Sequence, residues 1–436
     1  MKAIVLISFV GGLVLTLASQ ARTIPIINSQ QTSLITQDNT GQFWGTDPNN
    51  GNSARQVVSY RAGFGGSLQA TPYSGSFIPN LTPNGNPTAH GLDGNVEFIW
   101  PLPDGNVLFA TEIYPQRSTY LYKLKPSTNT VGNNPPYYNN KQAIINTGER
   151  GNGPQADIRF LHHRSLLVAN FDKGTANEKP VLYYGEYNVG KKPEVALWRS
   201  WDLGDTWSKV ITWNTVGKQT FHIHGVVQNP YTGWIYILLG DADSEAGIIA
   251  WDGKSPAPPD NTPIANMGNY PGWKAIAGSQ QVRTGDLVFS PPPLGKCIWI
   301  PDVDTIPPGT KLHGQRANYD LTGLESTGEI PYTDGNPPIL GAYDVHQQVI
   351  YWASFRIQDS IDPSVHIWQS DDTGLTWSLA AKTKVYNSYT SVPQNLYMAQ
   401  NQLILSARGM ELTPTGLSKG SHVAFSPLSK ITPPAQ

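Results

Sequence analysis

Cysteine is all but missing from this chain. Cys297 is the only one in 436 residues, so no intramolecular disulfide framework can hold the fold. Charge is scarce as well, at 14% Asp, Glu, Lys and Arg, with a formal net charge of −2. That near-balance supplies no basic field and excludes nucleic acid as an expected partner. Helical periodicity is almost absent, and beyond the N-terminus no apolar run is long enough to cross a bilayer. What the chain has in quantity is 42 Gly, 36 Pro, 13 Trp and 20 Tyr, a supply of turns and aromatics that suits a β-rich extracellular protein. The apolar and aromatic share is too high for disorder. Cys297 sits within the apolar stretch 295–300 and reads as core, because a chain of this size buries enough surface without cross-links.

The one long apolar stretch is N-terminal. Lys2 precedes an apolar run over 3–17, followed by Ala18-Ser19-Gln20-Ala21. A short basic region, a short apolar core and a small-residue cleavage pattern make a secretory leader over 1–21, and the run is too short for a comfortable span. The expectation is a secreted, extracellular protein with no membrane span after cleavage and one domain over 22–436. Asn80-Leu81-Thr82 is a glycosylation sequon that matters only in a eukaryotic secretory route.

The recurring unit is strand, tight turn, strand. The clearest copy pairs 221–227 with 234–239 across Asn229-Pro230-Tyr231-Thr232-Gly233, which has Pro and Gly where a hairpin needs them. Further copies pair 96–100 with 107–110, 286–289 with 297–300, 342–345 with 349–352, and 396–398 with 403–405. Another pairs 158–161 with 165–169 and turns at His162, His163 and Arg164, and a weaker one surrounds Phe43 and Trp44. Intervals of roughly 50 to 65 residues fit a radial repeat. The expected fold is all-β: a β-propeller of seven blades, each a four-stranded antiparallel sheet.

Two segments share the pattern Ser-x-Asp-x-Gly-x-Thr-Trp: Ser200, Asp202, Gly204, Thr206 and Trp207, then Ser370, Asp372, Gly374, Thr376 and Trp377. Asp and Thr can bond local amides, Gly can take positive φ, and Trp can pack between sheets, so the role expected of both is structural. The pattern resembles the Asp box, or BNR repeat, of sialidase-like propellers. The resemblance covers nearly the whole chain after the leader. The stretch from His222 to Asp241 is similar to bacterial and fungal propellers of that superfamily, which includes sialidases, other glycoside hydrolases, and polysaccharide lyases of the ulvan lyase and rhamnose–glucuronate lyase type. The Arg-Ile-Pro-like motif of true sialidases is missing, since Arg55 and Arg61 lack that context.

A propeller presents its site near the axis, on loops before innermost strands and after second strands. His90, Arg159, His222, His224, Arg283 and Tyr343 fall at or before innermost strands, and Glu112, Asp241, Arg356 and Arg408 just past second strands. In His222-Ile223-His224 alternate residues share a strand face, and the hairpin returns Asp241 beside both rings. That group suits acid/base or metal work. Arg283, Arg356 and Arg408 recur in three successive repeats and could grip a carboxylate or sulfate. His162, His163 and Arg164 read as an exposed turn, and Trp100, Trp234, Trp352 and Trp368 as core.

The resemblance to the lyases implies β-elimination at a uronic acid. Arginine would neutralise the carboxylate, and His or Tyr would move protons. His222, His224, Tyr343, Arg283 and Arg356 fit those catalytic parts, with Arg408, Asp241, Glu112, Arg159 and His90 contacting substrate. A glycoside hydrolase, an atypical sialidase included, would need two flanking carboxyl groups, which Asp241, Asp243, Asp302, Asp304 and Glu112 could supply. A noncatalytic glycan- or protein-binding propeller is the third reading. The expected partner is a polysaccharide or glycoconjugate, the expected state a monomer, with no required cofactor and a structural Ca²⁺ or Zn²⁺ left open.

Overall fold

The computed structural model describes residues 28–30, 33–37, 43–46, 57–62, 68–71, 95–113, 118–124, 158–159, 162–188, 193–215, 222–303, 311–330, 338–354, 364–384, 393–399, 402–408 and 421–427. The expected leader, the sequon, His90 and Arg356 lie outside them. Among the described residues no helix is long and apolar enough to cross a membrane.

Strands form one sheet after another in chain order, every neighbour antiparallel. Sheet I is Ser33–Gln37, Phe43–Thr46, Val57–Ala62 and Leu68–Thr71. Among the described residues sheet II has three strands, Asn95–Pro101, Val107–Ile113 and Ser118–Leu124. Sheet III is Leu166–Phe171, Lys179–Gly185, Glu194–Ser200 and Ser208–Asn214. Sheet IV is Ile223–Gln228, Ile235–Leu239, Gly247–Trp251 and Trp273–Ala277. Sheet V is Val288–Phe289, Lys296–Trp299, Leu312–Asn318 and Glu325–Ile330. Sheet VI is Pro338–Asp344, Val349–Ser354, Ser364–Ser370 and Ser378–Lys384. Sheet VII takes Pro393–Ala399, Gln402–Arg408 and Ser421–Pro427 from the C-terminal end, and Asn28–Gln30 from the N-terminal end as its fourth strand. First strands of neighbouring sheets touch, as Ser33–Gln37 does Asn95–Pro101 and Pro338–Asp344 does Pro393–Ala399. Sequential meanders, first strands inward and a last sheet sewn from both ends make a β-propeller.

The sheets pack face to face, so their middle strands are covered on both sides. Ile235–Leu239 is buried at every residue, which is why it reads as an unbroken apolar run. The outermost strand Glu325–Ile330 is mostly half-exposed and correspondingly polar. One apolar cluster joins sheets III and IV around Trp213, Trp251 and Trp273. Another joins IV, V and VI around Tyr236, Trp299, Trp352 and Trp368, and includes Cys297, fully buried. Both repeated turns link third and fourth strands. Asp202 accepts from Thr206 N at 2.8 Å and Thr206 Oγ1 at 2.6 Å, and Asp372 accepts from Thr376 at the same distances. Gly204 and Gly374 stand at φ of +95° and +85° and donate to Ser200 and Ser370.

One expected hairpin is different. Ile158–Arg159 pairs with Tyr187–Asn188 in a separate ribbon, and Leu166–Phe171 pairs with Lys179–Gly185. His162, His163 and Arg164 are therefore not an exposed turn on the far rim but the lead into an innermost strand. His162 is 0% exposed and His163 8%. Several polar groups of this segment are bonded: Trp100 Nε1 donates to His163 O at 2.9 Å, Arg164 N donates to His162 Nδ1 at 3.2 Å, and Arg164 Nε meets the buried Asp286 at 3.1 Å.

Candidate functional site

The site begins with an irregularity in the innermost strand of sheet IV. The ladder pairs Ile223 with Leu239 and then Gly225 with Leu238, so His224 is the extra residue of a bulge. The first strands of sheets I, II, VI and VII carry a register shift at the same end. Bulges re-aim side chains, and here the result is convergence at the mouth of the axis. His222 Nδ1 lies 2.7 Å from Asp241 Oδ2, and His224 Nε2 lies 2.8 Å from Asp241 Oδ1. Both rings are buried, at 7% and 1% side-chain exposure, while Asp241 keeps 36% and so reaches solvent. The expected return of Asp241 beside the two rings is present, by a bulge rather than simple alternation.

Arg283 braces the cluster from sheet V. Its Nη2 lies 3.4 Å from Asp302 Oδ2 and 3.7 Å from Asp241 Oδ1, and Nη1 donates to Asp241 O at 3.4 Å. Gln280 Nε2 donates to the same carbonyl at 2.7 Å, and Asp302 N donates to Arg283 O at 2.9 Å. Asp302 is itself buried and stands 3.8 Å from His224 Nδ1. Beneath this layer the axis is filled. Asp286, 0% exposed, accepts from Arg164 Nε, from Gly341 N at 3.1 Å and from Leu287 N at 2.9 Å. Gly225 and Gly285 leave the room this needs: a Cβ on Gly285 would stand 2.8 Å from Ile339 O and 3.0 Å from His162 Nε2.

The short ribbon supplies a residue that sequence reasoning missed. Tyr187 stacks on His222, with centroids 4.1 Å apart and planes at 25°, and lies 5.7 Å from His224. Ile223 N donates to Glu186 O at 2.9 Å, and the Glu186 carboxylate accepts from Ala196 N and Trp198 Nε1. These bonds pin the ribbon against sheet IV, with Tyr187 bridged to His222 and paired with Arg159. A two-residue strand leaves no periodic signal, so nothing in the sequence marked Tyr187.

Burial pushes the His222 imidazole below its ordinary value, only partly opposed by Asp241. Burial works against charge on Asp241 too, but hydrogen bonds from His222 and His224 hold its carboxyl well below the usual carboxylate range. Asp241 is therefore a fixed anion. Burial, together with His224 and Arg164, also keeps His162 well below the ordinary value. Among the described residues His222, His224 and Asp241 are the group whose ligand atoms could hold a metal ion, all within 4.8 Å of one another.

The remaining expected site residues separate. The Arg159 backbone lies beside Tyr187, and Glu112 and Arg408 end second strands at the same face as Asp241. The side chains of these three, and all of His90 and Arg356, fall outside the described residues. Tyr343 does not join the cluster. It sits at the hairpin end of Pro338–Asp344, paired with Ile350, where Tyr231 in the sheet IV hairpin and Asp344 help to raise its pKa after burial. Placing it at the start of a strand mistook one end of the strand for the other. A strand of this length spans the propeller's thickness, so the two ends lie on opposite faces.

No protein-family profile matches the chain, and no curated protein is detectably similar to it. Solved structures with a similar fold include the polysaccharide lyase Uly1, at 9% identity over 94% of this chain and 93% of that one, TM-score 0.45. They also include an ulvan lyase of family PL25, at 11% over 92% and 96%, TM-score 0.41. A third is the GH93 α-L-arabinofuranosidase of Fusarium graminearum with arabinobiose, at 13% over 76% and 92%, TM-score 0.39. At such identities no residue role carries across, and the chemistry has to be argued from the cluster itself.

Proposed function

We propose that this chain is a secreted, monomeric, carbohydrate-active enzyme, a single seven-bladed propeller over 22–436, and that it cleaves a uronic-acid-containing polysaccharide by β-elimination. The observation that carries the reading is the convergence of two imidazoles, a guanidinium and a half-buried phenol around one solvent-reaching carboxylate at the mouth of the axis. Titratable groups gathered in this way, in a chain poor in charge, suit proton transfer better than passive binding.

Elimination makes three demands. The sugar carboxylate must meet positive charge, so that the C5 proton becomes acidic enough to leave. A base must take that proton, and an acid must supply one to the departing O4. Positive charge at this mouth comes from the Arg283 guanidinium. Tyr187 is the group placed for proton transfer, since its ring lies over His222 and faces outward more than either imidazole. It takes the part that the sequence had suggested for Tyr343. Hydrolysis would need two carboxyl groups flanking the bond. Asp241 is engaged instead by His222 and His224, and Asp302 lies against Arg283, an arrangement that supports elimination over hydrolysis.

The test is ultraviolet absorbance and reducing-end release, followed together on a panel of uronate polysaccharides and sialosides. Elimination gives new reducing ends with the absorbance of an unsaturated uronate. Reducing ends without that absorbance would mean hydrolysis and sink the mechanism, and silence across the panel would favour a glycan-binding propeller. On a cleaved substrate, Tyr187→Phe should lower turnover by about 10²–10⁴-fold while Tyr343→Phe leaves it unchanged. Full turnover in Tyr187→Phe would remove Tyr187 from the chemistry.

A further inference from the structure

Each imidazole of the pair faces two acceptors. His224 has Asp241 at 2.8 Å from Nε2 and the Asp302 carboxylate at 3.8 Å from Nδ1. His222 has Asp241 at 2.7 Å from Nδ1, and the Asn188 backbone within hydrogen-bonding reach. A neutral imidazole carries one N–H, so each ring, whichever tautomer it adopts, turns a lone pair toward one oxygen.

One cation held between the rings and Asp241 removes both mismatches. The ring N–H groups then point away, to Asn188 and Asp302, as the second ring nitrogen of a metal-bound histidine does. We propose that His222, His224 and Asp241 bind a divalent transition-metal ion of the zinc class. Two nitrogens and one carboxylate oxygen suit zinc better than calcium or magnesium, which take oxygen ligands. Three protein ligands, with Asp241 the exposed one, leave a coordination position open toward solvent for water or a carboxylate. The site stands on its own geometry and goes beyond the elimination reading.

The test uses the full chain, stripped with a chelator and then given Zn²⁺ alone. The expected result is one Zn²⁺ per chain by elemental analysis and a higher unfolding temperature, with Ca²⁺ and Mg²⁺ doing neither. Asp241→Asn should weaken Zn²⁺, measured against a chromophoric chelator, by more than about 100-fold, and Asp302→Asn by about 10–100-fold. Circular dichroism of the metal-free variants checks that they fold. If Asp241→Asn does not fold, Asp302→Asn carries the test. No Zn²⁺ uptake by the stripped chain, uptake unchanged in the variants, or a preference for Ca²⁺ would each overturn the proposal. Because the probe is the metal alone, failure to cleave any polysaccharide leaves this result untouched. Cleavage that survives in a chain taking up no Zn²⁺ would remove the metal and keep the elimination.

Discussion

Asp286 shows how little a residue's name says about its work. In the sequence it opens an apolar strand. In the structure it is fully buried below the site, facing Arg164 from sheet III and accepting from Gly341 of sheet VI. Burial raises its pKa, while Arg164 and the two backbone amides oppose that rise. Asp286→Ala would leave Arg164 facing an apolar hole, and should cost about 3–5 kcal/mol in urea unfolding. A loss under about 1 kcal/mol would mean that Arg164 swings to solvent instead. Legibility varied residue by residue. Asp241 could be placed because hairpin arithmetic needs only a turn. Tyr187 and Asp286 could not, since what makes them matter is a neighbour far away in sequence.

At the level of elements, the repeated turns were the most legible feature and the innermost strands the least. A turn such as 200–207 is closed by its own side chains, so its residues state its geometry. Burial pushes the Asp202 carboxyl up, but hydrogen bonds from Thr206 and Ser200 together outweigh it and hold the carboxyl below its ordinary value of 3.8. A depressed carboxyl stabilises the fold above its unfolded pKa and loses that effect as pH falls through its folded one. Asp202→Asn should therefore lower stability at pH 7 by about 0.5–1 kcal/mol, a modest figure for an exposed turn. The gap should close as pH drops below the ordinary value. Thermal unfolding from pH 7 to pH 3 reads this, and a gap that stays constant would show that packing, not the ionised carboxylate, matters. The bulge at His224 left no mark in the sequence, because a bulge is a property of two strands in register. Misreading His162, His163 and Arg164 as a hairpin had the same origin: a polar triplet between apolar runs looks like a turn until its partners are known.

At the scale of the whole molecule, the ring closes through Asn28–Gln30, hydrogen-bonded to Ser421–Pro427 with Asn28 opposite Phe425 and Gln30 opposite Val423. Those residues are polar and few, and their contribution is backbone pairing that joins the two ends of the chain. A chain beginning after residue 30 would expose the edge of Ser421–Pro427 and lose the restraint on ring opening. It should unfold at a lower temperature, and sheet VII should lose amide protection first. Hydrogen exchange resolves this directly. Protection unchanged in Ser421–Pro427 would mean that the ring is held by its apolar interfaces alone.

The sequence alone determined the all-β class, the meander of hairpins, the two structural turns, the buried Cys297 and the pairing of His222 and His224 with Asp241. Apart from the burial of Cys297, which its apolar strand foretold and packing against neighbouring sheets completes, these depend on contacts between residues close in the chain, where spacing is geometry. Only the tertiary structure decided that His162 and Arg164 line the axis, that Tyr187 lies over His222, that Arg283 joins Asp241 to Asp302, and that Tyr343 belongs to the opposite face. Those facts are set by how separate sheets are arranged around a common axis. Packing of non-local surfaces fixes that arrangement, and no local pattern encodes it.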